Sequence, residues 1–165
     1  MKRTLPIHAI AAALALVGAR TAFAVTSPES FIKDAVDDSR AEVKICELAL
    51  QKSQRPEVKE FAQRMIKDHT ALTQRLEALA RSKHVKLPDD VSMTKKLTYE
   101  KLAHSDDFDK KFMDDNVSDH KDDVKKFSEQ ADSGKDPEVK ALAAETVPKM
   151  KEHLQMAQAL DAKMK

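Results

Sequence analysis

Residues 56–82, PEVKEFAQRMIKDHTALTQRLEALARS, carry the reading on which the fold turns. Val58, Phe61, Met65, Leu72, Leu76 and Leu79 recur at steps of three and four, except for one wider gap, which lays them on one face of an α-helix. The stripe lapses at its middle, and His69 fills the gap. Pro56 followed by Glu57 suits a first turn, where a missing N–H costs nothing and an acid meets the positive end of the helix dipole.

The same opening returns at Pro137-Glu138-Val139-Lys140, 81 residues further on. At that shift Phe31 meets Phe112, Asp34 meets Asp115, Val36 meets Val117, Asp38 meets Asp119 and Val43-Lys44 meets Val124-Lys125. Ten of the 29 positions from 31 to 59 agree without a gap, which points to a duplicated pair of helices. Ser27-Pro28-Glu29 opens a helix expected to reach about Ser53, and Ser105-Asp106-Asp107 opens one expected to end near Ser133-Gly134. Gly134 falls where a left-handed terminating residue is wanted. The helix from Pro137 runs almost to the end of the chain, through Pro148, which removes one backbone hydrogen bond and predicts a kink.

Short connections make each of these pairs an antiparallel hairpin. Between them, Pro88-Asp89-Asp90 starts a short helix to about His104, long enough with its flanks to recross a bundle. The sequence therefore predicts an all-α, ferritin-like four-helix bundle of two antiparallel hairpins joined by a long crossover with a short helix. Composition agrees. Two glycines, no Trp and one Tyr in 165 residues are poor material for sheets or Gly-rich phosphate loops. Lys and Arg (29) nearly cancel Asp and Glu (28), so no basic excess marks a nucleic-acid binder.

The amino terminus reads as an export signal. Lys2 and Arg3 precede the apolar run Ala9 to Val17, and Ala22-Phe23-Ala24 is a small-x-small cleavage site. Residues 1–24 are thus expected to be a signal peptide and 25–165 the mature domain, periplasmic or secreted, with no transmembrane segment after cleavage. No cysteine at the cleavage point offers a lipid anchor. Cys46, the only cysteine, leaves no internal disulfide and reads as a buried, packed thiol.

Each long helix carries one ionisable residue at mid-height on its inward stripe: Glu42 between Ser39 and Cys46, His69, His120 between Asn116 and Val124, and His153 between Met150 and Ala157. Mid-helix residues of a bundle share a layer, so Glu42, His69, His120 and His153 are expected to converge, where bundles place metals. Such a set could hold one transition-metal ion (Zn, Fe, Mn or Cu), with Asp119 or Asp123 as a fifth ligand or outer partner of His120. A metal-free polar layer that fixes packing, or a small-ligand pocket, stands beside that reading. Met65, Met150 and Met156 are soft-ligand candidates for copper, against core filler as the plainer role. His84 and His104, at helix ends, are expected in solvent. No nucleophile motif, phosphate loop or haem-attachment motif is present, and no Glu-x-x-His pair of a di-iron oxidase. The residues point away from an enzyme; if there is catalysis, metal-dependent oxidoreduction is the class left open.

Ala41-Glu42-Val43, Lys67-Asp68-His69, Phe108-Asp109, His120, and Val147-Pro148 followed by His153-Leu154 resemble, in order and spacing, the bacterial exported family labelled domain of unknown function 4142. That resemblance implies a ferritin-like fold and export, and it lends no reaction. Two functions follow: a binding module with a metal ion or small ligand at the bundle centre, or a non-catalytic structural or stress-response protein.

Overall fold

The computed structural model describes residues 26–164, all of whose regular structure is helical: α1 Pro28–Lys52, α2 Pro56–Ser82, α3 Met93–Ala103, α4 Phe108–Ser133 and α5 Pro137–Asp161. The expected signal peptide, 1–24, lies outside the described residues. Several of the starts have a local cause. The Ser27 hydroxyl accepts from the Ser30 N–H ahead of Pro28, and Asp136 accepts from the N–H groups of Glu138 and Val139 ahead of Pro137. No side chain caps α2, which starts on Pro56 alone.

α1 and α2 pack antiparallel: Phe31 and Val36 share one apolar cluster with Leu72, Leu76 and Ala80, while Ile45 and Ala49 share the other with Val58, Phe61 and Ala62. α4 and α5 repeat this, with Phe127 beside Val139 and Leu142, and Phe112 beside Ala157. The Phe61 and Phe112 rings meet edge-on at 6.1 Å, both in the first half of their helices, so α2 and α4 run in the same direction. The segment between them must therefore travel the length of the pair. At the other end the Phe31 and Phe127 rings meet edge-on at 5.1 Å. Each fully buried Leu, Phe or Met contributes about 1.5–3 kcal/mol, and such residues make up half of each cluster.

The crossover is fastened to α1 mainly by polar contacts. Arg40 donates to the Pro88 carbonyl at 2.7 Å, Lys44 pairs with Asp90 at 2.8 Å and Asp37 accepts from the Ser92 N–H at 2.7 Å. Only Val91 and Leu102 are buried along it. These contacts keep residues 88–92 out of the helix, so α3 starts at Met93, capped by Ser92, rather than at Pro88. α4 starts at Phe108, after the Ser-Asp-Asp run expected to open it. Gly134 ends α4 with φ −58°, not in the left-handed region. The left-handed stop belongs to α2 instead: His84, exposed, has φ 55°, with its N–H on the Arg81 carbonyl and the Val85 N–H on that of Ala80. α5 continues through Pro148.

Between the two apolar clusters lies a polar layer of buried residues: Ser39, Glu42, His69, Asn116, His120, Asp123, Thr146 and His153. The fold thus has a waist.

Candidate metal centre

Helices α2, α4 and α5 each present one imidazole to the waist. His69, His120 and His153 are at most 1% exposed. Their ring centroids form a near-equilateral triangle, 5.6 Å for His69–His120, 5.4 Å for His69–His153 and 5.4 Å for His120–His153. One nitrogen from each ring lies within 4.8 Å of the other two.

The remaining nitrogens are tied outward. His120 Nδ1–H donates to the Asn116 carbonyl at 3.0 Å; a carbonyl can only accept, which fixes that tautomer and leaves the Nε2 lone pair free. His153 Nε2–H donates to the Asp68 carboxylate at 3.0 Å and leaves Nδ1 free. His69 Nδ1 faces the Ser39 hydroxyl at 3.4 Å, a weak contact. The three nitrogens without a partner are His69 Nε2, His120 Nε2 and His153 Nδ1. A buried ring nitrogen without a partner is costly, and three together require an explanation. Asn116 Oδ1, one turn before His120, is also without one.

Burial disfavours the charged form of all three rings. It pulls His69 well below the usual histidine range, with help from the neighbouring imidazoles. It pulls His120 down to about 4. His153 is lowered as well, burial outweighing the pull of Asp68 in the other direction. Neutral imidazoles are the form that ligates metal. Asp68 is the opposite case. Burial alone would raise its carboxyl, but the hydrogen bond from His153, with Arg64 at 2.7 Å and Lys149 at 3.5 Å, holds it down at about 2.

Glu42 is buried in the same layer, but its carboxyl is not among the converging donors. It belongs to a second group on the α1–α4 side, under α3. Burial first, then the charges of Asp119 and Asp123, push Glu42 well above the usual carboxylate range. Asp123 is pushed up to about 7 by burial and by Asp38. Asp38 stays ionised: Lys95 at 2.7 Å and a hydrogen bond from Lys126 overcome the opposing effect of its burial. The expectation that all four inward residues converge thus holds for three. Asp119 and Asp123, expected to support His120, face Glu42 instead.

The carboxylate that supports the centre is Asp68, which the inward-stripe reading passed over. It lies one position before His69 in sequence, about 100° around the helix, and so reaches across to α5 rather than inward. Its i,i+4 partner Arg64 was a visible signal. Met65 and Met150 are buried in opposite apolar clusters, and Cys46 packs in one of them, its thiol pushed up by burial.

The family model described as "Domain of unknown function (DUF4142)" matches residues 14–160. The chain belongs to the DUF4142 family. No functionally curated sequence is similar to this DUF4142 protein. Among solved structures it is similar to CopM in the Cu(II)-bound form, with a TM-score of 0.73 at 18% identity, covering 85% of this chain and 99% of that one. CopM in the Ag-bound form obtained by soaking gives 0.68 at 19% identity over 82% and 94%. A DUF305 fragment from Deinococcus radiodurans gives 0.72 at 15% identity over 84% and 98%. At such identities the likeness is one of fold. Among the described residues, no helix of this DUF4142 protein is long and apolar enough to cross a membrane.

Proposed function

We propose that this DUF4142 protein is an exported, ferritin-like four-helix bundle that binds one transition-metal ion through His69, His120 and His153. The observation that carries the reading is that one nitrogen from each of three imidazoles, on three helices, lies within 4.8 Å of the other two, while every ring has a buried nitrogen without a partner and two of the rings are held from outside. A layer that served packing alone would have its polar atoms paired with one another. Metal-binding histidines are commonly steadied from behind by a carboxylate or carbonyl, as His153 and His120 are by Asp68 and Asn116. The ferritin-like arrangement is supported by the parallel course of α2 and α4 and the long crossover this requires. Export rests on the signal-like residues 1–24, and the periplasm is the compartment proposed. Copper is the favoured metal, since imidazole suits it and CopM of similar fold has been seen with Cu(II) and Ag. When bound, the ion supplies a Lewis-acidic or redox centre, and this chain's part is to orient three nitrogens and exclude water from them.

The test is metal analysis of the untagged protein purified from the periplasm, followed by calorimetric titration with Cu, Zn, Fe(II) and Mn(II). One equivalent of metal is expected, lost when His69, His120 and His153 are all changed to Leu. Substoichiometric metal and no rise in melting temperature with any of the ions would leave the waist as a packing device.

A further inference from the structure

α3 is fastened to α1 at its two ends. At the start the Ser92 N–H reaches Asp37 and Lys95 pairs with Asp38, both at 2.7 Å. At the finish Lys52 donates to the Ala103 carbonyl, beside the fully buried Leu102. The two helices therefore lie side by side and run in the same direction. Leu102 is the one buried residue of α3, and between the ties a cleft of about 370 Å³ stays open against α1. Small-molecule sites usually measure about 300–1,000 Å³.

The lining changes character along the helix axes. Ala41, Ile45 and Leu48 of α1 give an apolar floor, with Val91 and Tyr99 of the crossover beside it. Toward the start of α3 the lining is cationic. Lys95 is taken by Asp38, but Lys44 and Lys96 share the single carboxylate of Asp90, each at 2.8 Å, which leaves one positive charge over at that rim. Further along both helices the lining is acidic, with Glu47 and Glu100. These would be natural partners for Lys44 and Lys96, three and four residues away on the same helices. Both lysines are drawn to Asp90 instead, and among the described residues neither glutamate pairs with a Lys or Arg. The cleft is thus positive at one end, negative at the other and apolar between.

The two charged ends are set apart by about 4.5 Å of rise along α1 and about 6 Å along α3. An α-amino acid carries both charges on one carbon and is too short to meet them. Two extended residues span about 7 Å. A fatty acid would lay its tail against the acidic end, and a polyamine has no group for the cationic end.

We propose that this cleft binds a dipeptide with apolar side chains and free termini. Its carboxylate lies at Lys44 and Lys96, its ammonium at Glu47 and Glu100, and its side chains against Ile45, Leu48 and Tyr99. The proposal is independent of the metal-binding reading, because no histidine lines the cleft.

The test is a 15N chemical-shift titration of the full mature chain with the dipeptide Leu-Phe, its N-acetyl and C-amide forms, octanoate and spermidine. Leu-Phe is expected to shift residues 41–51 and 91–100 saturably. Both charged ends touch water, so blocking either terminus should weaken binding about 3–10-fold. Glu47→Gln should weaken Leu-Phe and lessen the cost of acetylation; Lys96→Gln should weaken it and lessen the cost of amidation. Both side chains lie at the surface, and melting temperatures close to wild type will show that the fold is kept. No saturable shift up to about 10 mM Leu-Phe overturns the proposal. So does equal affinity for the doubly blocked peptide, unchanged affinity in both variants, or tighter binding of octanoate or spermidine.

Discussion

On the α2–α4–α5 side of the waist, three imidazoles shed their protons; on the α1–α4 side, under α3, Glu42 and Asp123 keep theirs to higher pH than carboxyls normally do. Burial is the first cause in both groups, and it acts with opposite sign on an acid and a base. The outcome differs because of what lies behind each group. Two of the imidazoles are held from outside by Asn116 and Asp68 and the third faces Ser39, which leaves one nitrogen of each ring without a partner. The carboxyls crowd together, and Asp38 takes the ammonium groups of Lys95 and Lys126. A layer of one bundle can thus hold a ligand-ready face and a self-neutralised face side by side.

The largest expected effect falls on the histidine face. His120→Leu removes a donor whose orientation is fixed by the Asn116 carbonyl, and metal uptake in a calorimetric titration should vanish. Without metal the same variant should melt no lower than the wild type, because a nitrogen without a partner is replaced by apolar surface.

The pH dependence of stability should set the two faces against each other. His120 falls from an ordinary value of 6.5 to about 4, so its contribution is present above pH 6.5 and is lost as pH drops toward 4, on the order of 3 kcal/mol. Asp123 rises from 3.8 to about 7, so its contribution is full below pH 4 and is lost as pH climbs toward 7. In the wild type these trends oppose across pH 4–7. Asp123→Asn should steepen the loss of melting temperature on acidification through that window, and His120→Leu should reverse or flatten it. Both variants should still lose stability as Asp68 is protonated below about pH 4.

A smaller effect tests the carboxylate face alone. Asp38→Asn leaves Lys95 and Lys126 without their main partner, and urea unfolding should show a loss of about 1–3 kcal/mol, less than for a fully buried pair because both lysines touch water. Copper affinity should be retained. The smallest effect is Ser39→Ala: the contact with His69 is 3.4 Å long, and its loss should change copper affinity less than about threefold.

The helices and the height of the waist were legible because they depend on periodicity, and the lapses in the apolar stripes marked His69, His120 and His153 directly. Glu42 had the same signature and a different fate. Which inward residues face one another depends on how each helix is rotated, and a stripe one residue wide does not fix that rotation. Asp68 was missed for the complementary reason: it lies off its stripe and acts across an interface with α5, and its local pairing with Arg64 does not tell of that partner. Gly134 shows the limit of a strong single-residue signal, since α4 ends there without the left-handed turn and His84 supplies one at the end of α2.

His69 comes from the first hairpin, His120 and His153 from the second, and the two hairpins are joined by the longest connection in the fold. An ion held by all three would be a clasp across that seam. Neither half carries enough of the clasp to close it alone, so loading would be felt by the molecule as a whole: at a free ion concentration 100 times the dissociation constant, about 2.7 kcal/mol is added against any opening that parts the halves.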